Sequence, residues 1–270
     1  MFSFKFKRNT HKETEAERRY VEREVKKIPK VISVIFFIYI TIFLSLMIWY
    51  FYFKSTYYVS TVEGSSMQPT INVGIQKESQ SEDMVYVNRR IKGERGDIVT
   101  IETSSDNKII KRIIAKEGDK VSIYVADDGF YHVAIMYNWS QEVEILEEDY
   151  VKSYAEWRNG GNHSSEKILE NVTYALDFYN TFLSDMGENV TKIDGAYYYQ
   201  VPKDCYFCLG DNRAYSNDSR SRGVFKKSQI KGVAEIIIKG GSLESGSLAS
   251  KKFNAIISYY WKRLEKSFMR

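Results

Sequence analysis

Between Val31 and Phe53 the chain reads VISVIFFIYITIFLSLMIWYFYF, 23 residues without a charge or a proline. An α-helix rises about 1.5 Å per residue, so this run reaches roughly 35 Å, enough to cross the hydrocarbon core of a bilayer with some tilt. A surface helix of a globular protein keeps a polar side toward water, and this run has none. A cleaved leader has a shorter apolar stretch and ends at a small-residue site, whereas KSTYYVSTVEG follows here. The segment is expected to be a membrane anchor. The first thirty residues hold ten Lys/Arg and five Glu, while only Lys54 comes immediately after the run. The positive-inside rule therefore puts the N-terminus in the cytoplasm and everything from about Lys54 onward outside. That basic segment accounts for +5 of a net charge of only +4, so the positive charge is a local address and no nucleic-acid partner is expected.

The rest of the chain is rich enough in apolar residues, 43% overall against 27% charged, to bury a real core. Short alternating runs such as MVYVNRR and DIVTIE, bounded by Gly, Asp or Lys-rich turns, read as strands. Between about Tyr124 and Tyr199 the pattern changes. There Ile168, Leu169, Val172, Leu176, Tyr179 and Leu183 fall at helical spacing behind an N-capping Ser164 or Ser165. Strands resume with YYYQVPKDCYFCLGDN and GVAEIIIKG. The expected organisation is a basic cytoplasmic segment at 1–30, the anchor at 31–53, and a β domain formed by 57–123 and 200–239. An inserted subdomain occupies 124–199, and a linker with a basic amphipathic helix occupies 240–270. In that last helix Phe253, Ile256, Ile257, Tyr260, Leu264 and Phe268 share one side. Such a pattern suits a helix on a membrane surface, and equally a helix packed on the protein's own body.

The stretch GSSMQPTINVG, Gly64 to Gly74, offers two adjacent serines. A serine hydroxyl attacks only when a base takes its proton, and the usual base is His. The three histidines are poorly placed for that work: His11 is in the cytoplasmic segment, and His132 and His163 lie in the insertion. Lysine can replace His when burial lowers its pKa enough to populate the neutral amine. In NKIIKRIIAKEGDKV, Lys111 is flanked by Ile109, Ile110, Ile113 and Ile114, a setting unusual for a surface lysine. Basic residues in strands commonly point to solvent, so local context leaves both readings open.

The order of segments goes further, because the chain resembles bacterial type I signal peptidases, the membrane-anchored Ser/Lys proteases that release exported proteins from their signal peptides. VEGSSMQPT is similar to the family's nucleophile segment, DMVYVNRR with RGDIVTIE to its next paired strands, KRIIAKEGD to its lysine segment, and GDNRAYSNDSRSRG to its last signature. The resemblance spans roughly Phe36 to Ile238 and leaves the insertion and both tails outside. It implies a mainly β fold, a partly barrel-shaped catalytic domain with an inserted α/β subdomain behind one N-terminal transmembrane helix. It implies that Ser66 is the nucleophile, that its backbone N–H serves the oxyanion, and that Lys111 is the general base. Ser216 would hold the lysine amine, Asp218 and Arg220 would brace that loop, Gly210 would leave room beside the lysine, and Met67 would touch substrate. Asp211, Asn212 and Arg213 would be structural.

The partners implied are the signal peptides of exported precursors, with membrane lipid and the protein-export machinery beside them, and no metal or organic cofactor is called for. The single anchor and fairly compact outer part resemble Gram-positive members. The sequence departs from the family at Gly64, where some members place an oxyanion-hole serine, and at Ala115 and Glu117 in AKEGD. Two further functions remain in view: a signal-peptidase-like chaperone for pilus or surface-protein assembly that has lost the chemistry, and a self-cleaving regulatory protease of the same Ser/Lys kind. Cys205 and Cys208 invite a redox or metal reading, yet two residues three apart on a strand point to opposite faces. They are expected to be unpaired thiols.

Overall fold

The computed structural model describes residues 14–72, 82–103, 107–125, 131–151, 176–184, 186–240 and 248–268. The chain divides into two compact units, Met1–Ser55 and Thr56–Arg270. The first is dominated by helix α1, Glu15–Thr56, 42 residues long, which contains the apolar run and is long and apolar enough to cross a membrane. Its apolar side chains are exposed all round, as a lipid-facing helix requires. The hydroxyls of Thr41 and Ser45 donate to the carbonyls of Phe37 and Thr41 at 2.8 Å, so these polar groups are satisfied within the helix.

The second unit is mainly β. Its strands are β1 (Tyr57–Thr61), β2 (Met84–Asn88), β3 (Ile98–Glu102), β4 (Lys108–Lys116), β5 (Lys120–Val125), β6 (Tyr131–Met136), β7 (Glu144–Ile145), β8 (Val190–Ile193), β9 (Ala196–Gln200), β10 (Cys205–Leu209), β11 (Phe225–Lys226) and β12 (Ile230–Ile238). Seven form one antiparallel sheet in the order β1-β2-β12-β3-β4-β10-β11, and five form a second in the order β7-β6-β5-β9-β8. The chain passes between the sheets at Gly118, whose φ of +84° closes the turn from β4 into β5. Buried Asp119 fixes that corner, accepting the backbone N–H groups of Lys116 and Asn138 and a two-pronged contact from Arg95. Among its helical segments are the four-residue α2 (Ser219–Arg222) and the 21-residue α3 (Leu248–Phe268).

Alternation along the strands sorts the core. On β10, Cys205, Phe207 and Leu209 join Val121, Val133 and Ile135 of the second sheet, while Tyr206 and Cys208 join Val99, Ile101 and Ile113 on the other side. Cys205 and Cys208 are therefore in different apolar clusters, and both are free. A third cluster gathers Val62, Met67, Ile71, Val85, Val87, Ile98 and Ile110. The helix expected from Ser164 or Ser165 to Leu183 lies largely outside the described residues. Its described end is a helical segment that widens into a π-helix at Tyr179–Leu183 and buries Phe178 and Leu183.

Candidate active site

Ser66 sits in a tight turned segment between β1 and β2. Gly64, with φ +80°, starts the turn, and Asn72, with φ +61°, ends it. Met67 and Ile71, one helical turn apart, are almost wholly buried and tie the segment into the third cluster. The Asn72 side chain donates to the carbonyls of Val62 and Gly64 at 2.5 and 2.9 Å. Asn72 and Asp83 also exchange backbone-to-side-chain hydrogen bonds, both at 2.8 Å. From the opposite side, Asn212 donates its backbone N–H to the Ser66 carbonyl at 3.0 Å and its side-chain amide to the Ser65 carbonyl at 3.1 Å. The serine is thus held through backbone contacts on both flanks.

Lys111 stands on β4 opposite Val99 of β3, on the same face as Ile109 and Ile113. It is only 3% exposed. Its amine donates to Ser66 Oγ at 2.9 Å and to the Ile110 carbonyl at 2.7 Å. Burial among isoleucines disfavours the charged form and pulls the amine down to about 8; the nearby Asp218 carboxylate opposes this, and Arg222 adds to it. A hydroxyl and a partly neutral amine in direct contact, away from water, can exchange a proton.

The loop after β10 supports this corner. A side chain at Gly210 would place its Cβ 2.1 Å from Ser216 Oγ and 2.5 Å from the Ser66 carbonyl oxygen, so only glycine fits. Gly210 donates its N–H to Asp218 at 3.0 Å, and Arg220 meets the same carboxylate with two hydrogen bonds of 2.8 Å. Burial works to raise the Asp218 pKa, but the Arg220 charge and hydrogen bonds outweigh it and hold the carboxyl below its ordinary value.

Ser216 differs from what the sequence suggested. Its hydroxyl is buried beside Gly210 and next to the Asp218 carboxylate, while the Lys111 amine donates to Ser66 and the Ile110 carbonyl. Met67, at 1% exposure, packs inward and anchors the serine turn. It does not border the cleft beside the serine. That cleft, of about 450 Å³, runs between residues 60–63 and 107–111 and includes Ser66 and Lys111.

Sequence reasoning expected Asp211 and Arg213 to be structural but missed the partners that grip them from behind, Arg112, Thr70 and Glu148. Arg112 donates two hydrogen bonds to Asp211, at 2.8 and 2.6 Å, and a third to the Gly96 carbonyl at 2.7 Å. Thr70 donates to the same Asp211, and Arg213 pairs with Glu148 while donating to the Gly210 carbonyl at 3.1 Å. Arg112 follows Lys111 and so points to the opposite face, where a lone sequence reads it as solvent-facing. Among the described residues no group of three or more His, Cys, Asp or Glu is placed to hold a metal ion.

Comparison with known proteins agrees with the geometry. The sequence matches the signal peptidase family, peptidase S26, over residues 31–239. It is 28% identical over 204 residues to signal peptidase I of Aquifex aeolicus, covering 68% of this chain and 77% of that protein. It is 29% identical over 179 residues to signal peptidase I of Streptococcus pneumoniae, covering 64% and 78%. Against signal peptidase I P of Bacillus subtilis subsp. natto it is 28% identical over 182 residues, covering 65% and 74%. The chain belongs to the signal peptidase family: it is a serine endopeptidase of the signal peptidase I type, with an N-terminal apolar helix suited to membrane anchoring. These relatives do not favour the chaperone alternative.

Proposed function

We propose that this signal peptidase cuts signal-peptide-bearing precursors through a dyad in which Ser66 attacks the scissile carbonyl and Lys111 takes its proton. The observation that carries the reading is the 2.9 Å contact between Ser66 Oγ and the Lys111 amine in a desolvated corner. With a pKa of about 8, roughly a tenth of the amine is neutral at pH 7, and that fraction accepts the hydroxyl proton along the existing contact. The resulting ammonium then protonates the leaving amine. The Ser66 backbone N–H is the proposed oxyanion donor. Asp218, Arg220 and Gly210 act by keeping the lysine's surroundings close-packed.

The substrate peptide is proposed to lie extended in the cleft. Strand β10 pairs with β4 only from Arg112 onward, so the stretch Lys108–Lys111 keeps an unpaired edge to which a peptide can add as a strand. The family resemblance implies small residues at the −1 and −3 positions of that peptide. Cleavage of an exported precursor by the full chain, beside Ser66→Ala and Lys111→Arg, tests the assignment. Both variants are expected to lose at least about 10³-fold in rate, because arginine stays protonated and cannot act as the base. Near-wild-type cleavage by Lys111→Arg, with Ser66→Ala dead, would move the base elsewhere.

The basic N-terminal segment supports an N-terminus in the cytoplasm and a catalytic unit outside the plasma membrane, in contact with lipid and supplied with precursors by the export machinery. Protease added outside intact cells is expected to digest the unit beyond Lys54 and spare the N-terminal thirty residues. The reverse pattern would overturn this orientation.

A further inference from the structure

Helix α3 is amphipathic, but it turns only part of its apolar side to the core. Tyr259 faces the β unit, where its hydroxyl is hydrogen-bonded with Tyr57 of β1 and Glu235 of β12 and receives Arg263 at 3.0 Å. On the same side Lys251 donates to the Gly240 carbonyl at 2.8 Å, and Lys252, Ala255 and Ile256 are half-buried. Each helical residue advances by about 100°, so Phe253, Ile257 and Trp261 form a stripe roughly half a turn away from Tyr259. That stripe is open, with exposures of 63%, 49% and 63%. A surface helix ordinarily buries such a stripe against the fold. The own-body packing that the sequence left open is therefore made by one flank of the helix, with Ala255, Ile256 and Tyr259 turned inward, while Phe253, Ile257 and Trp261 stay exposed.

We propose that the stripe is a second membrane contact. Helix α3 lies in the headgroup layer of the bilayer that holds the anchor, with Phe253, Ile257 and Trp261 in lipid and the flank bearing Tyr259 against the β unit. This rests on the reading of α1 as a membrane anchor. The occupant follows from where α3 is latched. Tyr57 comes four residues after Phe53, the last residue of the apolar run, and four helical residues rise only about 6 Å. The headgroup layer on each side of the hydrocarbon core is roughly 5–8 Å thick, so Tyr57 leaves the bilayer at headgroup depth, and Tyr259 is bonded to it. Aromatic side chains such as Trp261 favour that depth. The α3 sequence holds five basic residues against the single Glu265, a balance attracted to anionic lipid, and long basic stems can reach from a lipid-embedded helix to headgroups. The helix also lies beyond residue 239, where the family match ends.

The test places an environment-sensitive fluorophore on the full chain in vesicles of phosphatidylcholine with a minority of phosphatidylglycerol, using lipid-chain nitroxides as quenchers. Probes are attached at Ile257→Cys on the stripe, at Lys262→Cys off it, and at Phe43→Cys in the anchor. Cys205 and Cys208 are buried, and the parent chain measures their background labelling. Precursor cleavage by each labelled chain verifies its fold, and Phe253→Cys replaces Ile257→Cys if that variant is inactive. The probes at 43 and 257 are expected to be quenched at least about threefold more than the probe at 262. A quenched anchor with equal, weak quenching at 257 and 262 would overturn the inference alone. An unquenched anchor would overturn the anchor reading along with it. A blue-shifted but unquenched probe at 257 would assign the stripe to a protein surface and also refute the proposal.

Discussion

The two sheets of the β unit are made from similar strands and differ in what they bury. Around the five-stranded sheet the interior is aliphatic and aromatic: Val121, Val133, Ile135 and Leu183 pack there, and Phe178 meets the rings of Phe182 and Phe207 at 5.3 and 5.9 Å. Around the seven-stranded sheet, Lys111, Asp211, Arg213, Asp218 and Arg220 are all at 5% exposure or less. Burying charge is costly unless it is paired and hydrogen-bonded. Asp211 and Asp218 meet arginines, and Arg213 meets Glu148. Lys111 forms no ion pair among the described residues, and burial instead lowers its pKa to about 8, so that it gives up its proton more readily than a free lysine. An apolar core needs only to fill space, whereas this polar one brings the neutral form of a single amine within reach.

That contrast can be broken from either side. Arg220→Met leaves the Asp218 carboxylate buried without its partner, which is expected to cost about 3–5 kcal/mol of stability and to lower cleavage as well. Chemical denaturation beside an activity assay measures both, and an unaltered unfolding midpoint would show that the pair braces nothing. A smaller effect is expected from Ile135→Val, fully buried near the other sheet. It should cost roughly 0.5–1.5 kcal/mol and leave the pH dependence of cleavage unmoved. A displaced pH profile in that variant would mean that the two cores are not separable in function.

The sequence made one part of this molecule more legible than another. The anchor was readable because one composition holds over a whole helix length, and the β character because alternation repeats from strand to strand. Ser66 and Lys111 stood out through a motif and an apolar setting, and the structure brings them into contact. Ser216 and Met67 carried equally familiar motif positions, but their side-chain directions depend on neighbours far along the chain: Gly210 for one, Val85 and Ile98 for the other. The Arg112–Asp211 pair spans 99 residues, and nothing local marks either partner as belonging to the other. The orientation of α3 was undecidable for the same reason, since which side of an amphipathic helix meets the fold depends here on Tyr57 and Glu235.

The claim that most needs a direct reading is the protonation of Lys111. In the full chain carrying lysines labelled with ¹³C at Cε, the Lys111 signal is identified by its loss in Lys111→Arg and followed as pH rises. Because burial favours the neutral amine, the signal is expected to titrate near 8, and cleavage should climb through the same midpoint and level off above it. A Lys111 that titrates near the roughly 10.4 of a free lysine, while cleavage is already full at neutral pH, would contradict the account.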